Sequence, residues 1–168
     1  MAIISTSFAA LLNLAPGPWE IVNDGVMGGR STSRAEAFGD GLRFRGRLSL
    51  ENNGGFASTR RAVDNVPPEA VAVRLEVRGD GRQYQLRLRQ DQRRDGVAWR
   101  APFETGEEWA RVDLPLSDFE PVFRGRTVPD AGAVRSEAIT QLGFMLADGR
   151  PGDFTLEVRR LEFIGRND

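Results

Sequence analysis

Gly41-Leu42-Arg43-Phe44-Arg45-Gly46-Arg47-Leu48-Ser49-Leu50 sets its apolar residues at even positions and its arginines at odd ones. Successive side chains of a strand point to opposite faces. Leu42, Phe44, Leu48 and Leu50 therefore share one face, and Arg43, Arg45 and Arg47 the other. The same beat returns in Val71, Val73, Leu75 and Val77, then in Tyr84, Leu86 and Leu88. It continues in Trp99, Ala101 and Phe103, from Trp109 to Leu114, and in Leu142, Phe144 and Leu146. Buried parallel strands read as continuous apolar runs, so this pattern predicts antiparallel sheets with one wet face.

Turn chemistry falls between the runs. Gly39-Asp40-Gly41, Gly79-Asp80-Gly81, Arg94-Asp95-Gly96 and Asp148-Gly149-Arg150-Pro151-Gly152 each separate two strand candidates. Asp64 to Pro68 and Val128 to Gly132 read as loops, and Ser117-Asp118-Phe119 as one helical turn. In the last strand Phe154, Leu156 and Val158 hold one phase while Leu161 and Phe163 hold the other. That slip at Arg159-Arg160 predicts a β-bulge. Many short strands with Gly-rich turns and no long amphipathic helix give an all-β chain, a sandwich or a barrel.

The chain has 168 residues, 40% apolar and 28% charged, with a net charge of -1. That is one domain's worth of core. It contains no Cys and no His. Disulfides, thiolate metal sites, Ser-His-Asp and Cys-His mechanisms are thus unavailable to these residues. All 23 basic residues are Arg, which removes Schiff-base and P-loop lysine chemistry. An Arg-only surface can read phosphate or carboxylate. Interleaved acids and a near-zero net charge favour compositional bias instead. Metal binding, if any, would fall to oxygen donors and hard cations, and no cofactor is expected. No apolar stretch is long enough to cross a bilayer. The segment from Met1 to Leu14 lacks a basic leader, and Ile3 to Leu14 is expected to form a short strand or helix against the sandwich. A cytoplasmic location is expected, with peripheral contact at the inner face of a membrane allowed.

The run from Trp19 to Ser33, Trp-Glu-Ile-Val-Asn-Asp-Gly-Val-Met-Gly-Gly-Arg-Ser-Thr-Ser, is the densest local signal. Asn-Asp-Gly ends a strand because Asn and Asp bond their own backbone. Gly28-Gly29 then asks for a second special conformation. Gly25, Gly28 and Gly29 could aim amides at an anion, and Asp24 could hold a hard cation. The favoured reading is that Asp24 binds the loop's own amides while Met27 plugs the end of the sandwich.

Trp19-x-x-Val22-Asn23-Asp24-Gly25-Val26-Met27-Gly28-Gly29-x-Ser31 resembles the signature of the complex I intermediate-associated protein family. Gly54 to Arg60, Leu114 to Phe119, Phe123 to Arg126, Ile139 to Asp148 and Gly152 to Val158 resemble later blocks of that family, in family order. The resemblance implies a jelly-roll β-sandwich of galactose-binding-like type, with a core over 19–165 and residues 1–18 as a lead-in to a single domain, 1–168. It implies a non-catalytic assembly factor or chaperone for respiratory NADH:ubiquinone oxidoreductase. The partner would be a protein, a membrane-associated intermediate of that complex, and not nucleic acid. The alternative is a carbohydrate-binding, lectin-like module, with or without Ca²⁺.

Candidate binding residues are Trp19, Asn23, Asp24, Gly25, Met27, Gly28, Gly29, Ser31, Arg60, Arg124 and Arg126. No catalytic or metal-ligating residue is assigned. Glu107, Glu108 and Asp91 lack a partnered acid or base, and Glu51-Asn52-Asn53 reads as a hairpin turn. Trp19, Trp99, Trp109 and Tyr84 keep phase with apolar neighbours and are expected in the core rather than on a sugar platform. The sheet arginines, Arg87 and Arg89 included, are expected to pair with Glu36, Glu76 and Glu104.

Overall fold

The computed structural model describes residues 8–14, 19–92 and 96–165. Ile3 to Ser7 of the expected N-terminal element, and Arg94 and Asp95 of one expected turn, lie outside them. The strands are β1 (Phe8–Leu11), β2 (Glu20–Ile21), β3 (Thr32–Phe38), β4 (Gly41–Leu48), β5 (Ala57–Ala62), β6 (Ala70–Gly79) and β7 (Gln83–Arg89). They continue as β8 (Ala98–Glu104), β9 (Ala110–Pro115), β10 (Glu120–Phe123), β11 (Arg126–Thr127), β12 (Gln141–Leu146) and β13 (Gly152–Gly165).

Two antiparallel sheets face each other. One has six strands in the order β3-β4-β13-β6-β9, with β1 pairing the far half of β13. The other has seven, in the order β11-β10-β8-β7-β12-β5-β2. The alternation explains this layering. Phe44, Leu75, Val77, Leu156 and Val158 line the inner face of the first sheet, and Leu86, Leu88, Leu142, Phe144 and Leu146 that of the second. Tyr84 of the second sheet bridges the gap to Phe154 of the first at 6.4 Å, and rings also pair within each sheet, Phe44 at 5.1 Å from Phe154 and Phe103 at 6.2 Å from Phe144. Offset and edge-on ring pairs of this kind add to area burial.

The β-bulge lies where the phase slips. Val158 pairs with Val77 but Arg160 with Glu76, leaving Arg159 as the extra residue. A second shift, not read from the sequence, leaves Val71 unpaired between Ala70 and Ala72. That is why Val71, expected in the core, is 38% exposed. Trp109 is the other departure. It is half-buried and clamped by the guanidinium groups of Arg78 and Arg159, at 4.7 and 4.4 Å from its ring. Glu51-Asn52-Asn53 is not a hairpin turn either. It is a 3-10 turn in the crossover from β4 in one sheet to β5 in the other.

Register places the functional end. Thr32 pairs with Arg47, Gly152 with Leu48 and Ala57 with Leu146. The connections β2–β3, β4–β5 and β12–β13 therefore leave from the same end of the sandwich.

Candidate functional site, an aspartate-centred loop pair

At this end the chain from Glu20 runs along β5, with the Val22 amide donating to the Ser58 carbonyl at 3.0 Å and the Asp24 amide to Phe56 at 3.1 Å. It then closes into a 3-10 turn, Asp24–Met27. Gly28 ends the turn at φ 85°, where a side chain would be strained. The amides of Gly28 and Gly29 donate to the carbonyls of Gly25 and Asp24. They point inward, so the anion-cradle reading does not hold.

Asp24 is fully buried. Its Oδ1 accepts the Ser31 amide at 2.9 Å, and its Oδ2 accepts the Ser31 hydroxyl at 2.6 Å. The amides of Gly55, at 2.7 Å, and Phe56, at 3.3 Å, reach the same Oδ2 from the β4–β5 connection. Burial alone would raise this carboxyl's pKa. The Ser31 hydroxyl and the three amides outweigh it and hold the group below its ordinary value. With donors crowding both oxygens, Asp24 is a structural hub rather than a cation ligand.

Two glycines make room for that carboxylate. A Cβ on Gly29 would lie 2.4 Å from Asp24 Cγ, and one on Gly54 would lie 2.6 Å from Oδ2. Gly25 differs from the expectation. Its φ is ordinary and its Cβ position meets open space, so nothing local requires glycine there. Asn23 and Asn52 complete the lock. Asn23 Oδ1 accepts the Ser33 hydroxyl and the Ser58 amide, and Asn52 Nδ2 donates to the Gly28 carbonyl at 3.1 Å. Asn52 and Asn53 hold left-handed φ of 56° and 60°, which asparagine tolerates better than most residues.

Met27 does not plug the sandwich. It is 62% exposed, and Leu50 on the linked loop is 42% exposed. A rigid polar base thus presents two large apolar side chains to the outside. Trp19 sits at the margin, half-buried, its indole N–H donating to the Leu14 carbonyl at 3.0 Å and its ring 6.2 Å from Phe144.

The remaining candidates do not join this cluster. Arg124 and Gly125, at φ 51° and 78°, form the two-residue turn of the β10–β11 hairpin. With Arg126 they lie at the opposite edge of the seven-stranded sheet from β2. Arg60 is buried on β5, across from Glu20. What sequence reasoning missed was that Gly54 to Phe56 supply Asp24's partners. The family order of the two blocks carried no hint that they touch.

A family model described as Complex I intermediate-associated protein 30 matches residues 8–158. The mouse protein named Complex I intermediate-associated protein 30, mitochondrial, is 35% identical over 96 residues, covering 54% of this chain and 28% of its own length. The Drosophila melanogaster protein of that name is 26% identical over 174 residues, covering 88% of this chain and 57% of its own. The chain thus spans about a quarter to just over half of these relatives. Among solved structures, the family 11 carbohydrate-binding module of Clostridium thermocellum Lic26A-Cel5E superposes with a TM-score of 0.72. It is 15% identical, with 98% of each chain covered. A family 30 carbohydrate-binding module reaches 0.60 at 12% identity, over 96% of this chain and 90% of that one. The likeness to these two solved structures establishes the jelly-roll sandwich and nothing finer.

Proposed function

The chain belongs to the complex I intermediate-associated protein 30 family, and from that membership we propose that it is a non-catalytic binding protein serving complex I assembly. It would hold an assembly intermediate of NADH:ubiquinone oxidoreductase through the loop end of the sandwich. The observation that carries this reading is the contrast between buried Asp24 and exposed Met27 and Leu50. Hydrogen bonds on both Asp24 oxygens rigidify two loops whose outermost side chains are apolar. Pre-ordered loops lose little entropy on binding. An unbranched thioether adapts to an apolar partner surface. The toolkit agrees with binding rather than chemistry, since no His, Cys or Lys is present. Among the described residues no helix is long and apolar enough to cross a membrane, so contact with a membrane-embedded intermediate would be peripheral.

Affinity capture from a native membrane fraction tests the proposal. Subunits of NADH:ubiquinone oxidoreductase should be enriched on the wild-type chain. Met27→Ser and Leu50→Ser should lose them without lowering the melting temperature. Absence of those subunits, or capture indifferent to both substitutions, overturns it. The carbohydrate reading has the fold in its favour but lacks a platform. The outward residues of β5, β7, β8 and β12 include no aromatic side chain. Specific retention on a glucan matrix would restore it.

A further inference from the structure

The outward faces of the two sheets treat their arginines differently. On the six-stranded sheet most have a carboxylate, although Arg34 lies directly opposite Arg45. Arg45 pairs with Glu36 at 2.9 Å, Arg43 and Arg78 with Glu157 at 3.0 and 2.6 Å, Arg74 with Asp113 at 2.8 Å, and Arg159 with Glu76 at 2.7 Å. On the seven-stranded sheet the register builds a row across five strands: Arg60, Gly143, Arg87, Arg100 and Glu120. Arg87 and Arg100 are direct cross-strand partners, and like charges placed opposite each other destabilise a sheet.

Arg87 is the least compensated member. Its Nη1 donates to two neutral acceptors, Gln85 Oε1 at 3.0 Å and Met145 Sδ at 3.4 Å, and its Nε is buried with no hydrogen-bond partner. Burial, then Arg89, Arg100 and Arg60, pull its pKa down to about 10. Arg100 pairs with Glu120 at 3.5 Å, on the rim of the row and 49% exposed. Gly143, between Arg60 and Arg87, is buried and has no room for a side chain beside the Thr59 carbonyl and Arg60. To one side, Arg89 donates to the Gly96 carbonyl and Gln141 to the Asp91 carbonyl, while Ala98 and Val122 are buried.

We propose that this face binds the phosphate of a phosphate ester, with Arg87 and Arg100 as its paired guanidinium donors and Arg60 and Arg89 flanking them. Guanidinium groups are the side chains best suited to tetrahedral phosphate oxygens, because each carries several N–H donors and a charge that it keeps at neutral pH. A phosphate monoester carries close to two negative charges at neutral pH, matching the two opposed cations better than a carboxylate does. The ester is either a soluble metabolite or a lipid headgroup. The site is separate from the Asp24 loops and stands without the assembly role.

The test has two arms. In the first, melting temperature is followed against inorganic phosphate and glycerol 3-phosphate, with chloride holding ionic strength constant. Wild type should show a saturable rise. Arg87→Gln should melt higher than wild type without phosphate, because a desolvated charge is gone, and should lose the phosphate response. Arg47→Gln, on the other sheet, should keep it. In the second arm, vesicles of phosphatidylcholine with and without phosphatidic acid are sedimented with the protein. Retention only with phosphatidic acid, abolished by Arg87→Gln, assigns the ester to a lipid. Response to the soluble ester alone assigns it to a metabolite. A wild type indifferent to both arms, or an Arg87→Gln protein that still responds, overturns the site. If Arg87→Gln fails to fold, one-third-exposed Arg100→Gln serves the same test.

Discussion

Asp24 holds together two loops through its side chain as well as through its amide, which donates to the Phe56 carbonyl. Removing its carboxylate strands the amides of Ser31, Gly55 and Phe56 in a dry site. Asp24→Ala should therefore cost of order 3 kcal/mol in urea unfolding, and Asp24→Asn less, since one acceptor oxygen remains. Gly29→Ala should approach the cost of Asp24→Ala, because its Cβ would press on the carboxylate, whereas Gly25→Ala should change little. Equal effects at the two glycines would show that backbone freedom, not space around Asp24, sets the loop. The residue types were legible in sequence: Asn-Asp-Gly announces a turn and Gly28 its left-handed close. The carboxylate's contacts were not. They come from residues 31 positions away or more as well as from Ser31 nearby.

β13 is the element on which both packing and register turn. It pairs with β4 along its first half, with β1 along its second and with β6 from Leu156 to Gly165, and Arg159 bulges between the halves. The bulge switches inward phase from Phe154, Leu156 and Val158 to Leu161 and Phe163, all buried. Deleting Arg159 would place Arg160 directly after Val158 and restore unbroken alternation, so that Leu161 and Phe163 stay inward and the ladder with β6 becomes continuous. The expected outcome is a protein that still melts cooperatively, at a lower temperature because the Arg159 contacts with Glu76 and Trp109 are gone. A deletion variant that loses the cooperative melt would mean that the bulge itself, and not the apolar phase, is what β13 requires. This bulge was readable because it breaks apolar phase on one strand. The one at Val71 was not, because Ala70 and Ala72 sit on either side of it and blur the pattern.

At the scale of the whole molecule, three carboxylates among the described residues are held below their ordinary values. Burial opposes the shift in each. Asp24 is lowered by the Ser31 hydroxyl and three amides, Asp148 by Arg82 and the Arg150 amide, and Glu157 by Arg78 and Arg43. A lowered folded pKa gives stability that is complete above the unfolded value and is lost as pH falls through the folded one. With ordinary values of 3.8 for Asp and 4.5 for Glu, unfolding free energy should stay level down to about pH 5 and fall steadily below it. Asp24→Asn should flatten part of that fall. A decline that begins near neutrality would place the titrating groups elsewhere. The sequence by itself determined the strands β4, β6, β7, β8, β9, β12 and β13, the bulge at Arg159, the Gly-Asp-Gly turns and the absence of His, Cys and Lys chemistry, because phase and residue type are local properties. Only the tertiary structure decided that Asp24 joins two blocks, that Met27 faces outward and that Arg87 meets Arg100. Those depend on which strands become neighbours and in what register, and alternation along one strand carries no information about its partner's offset.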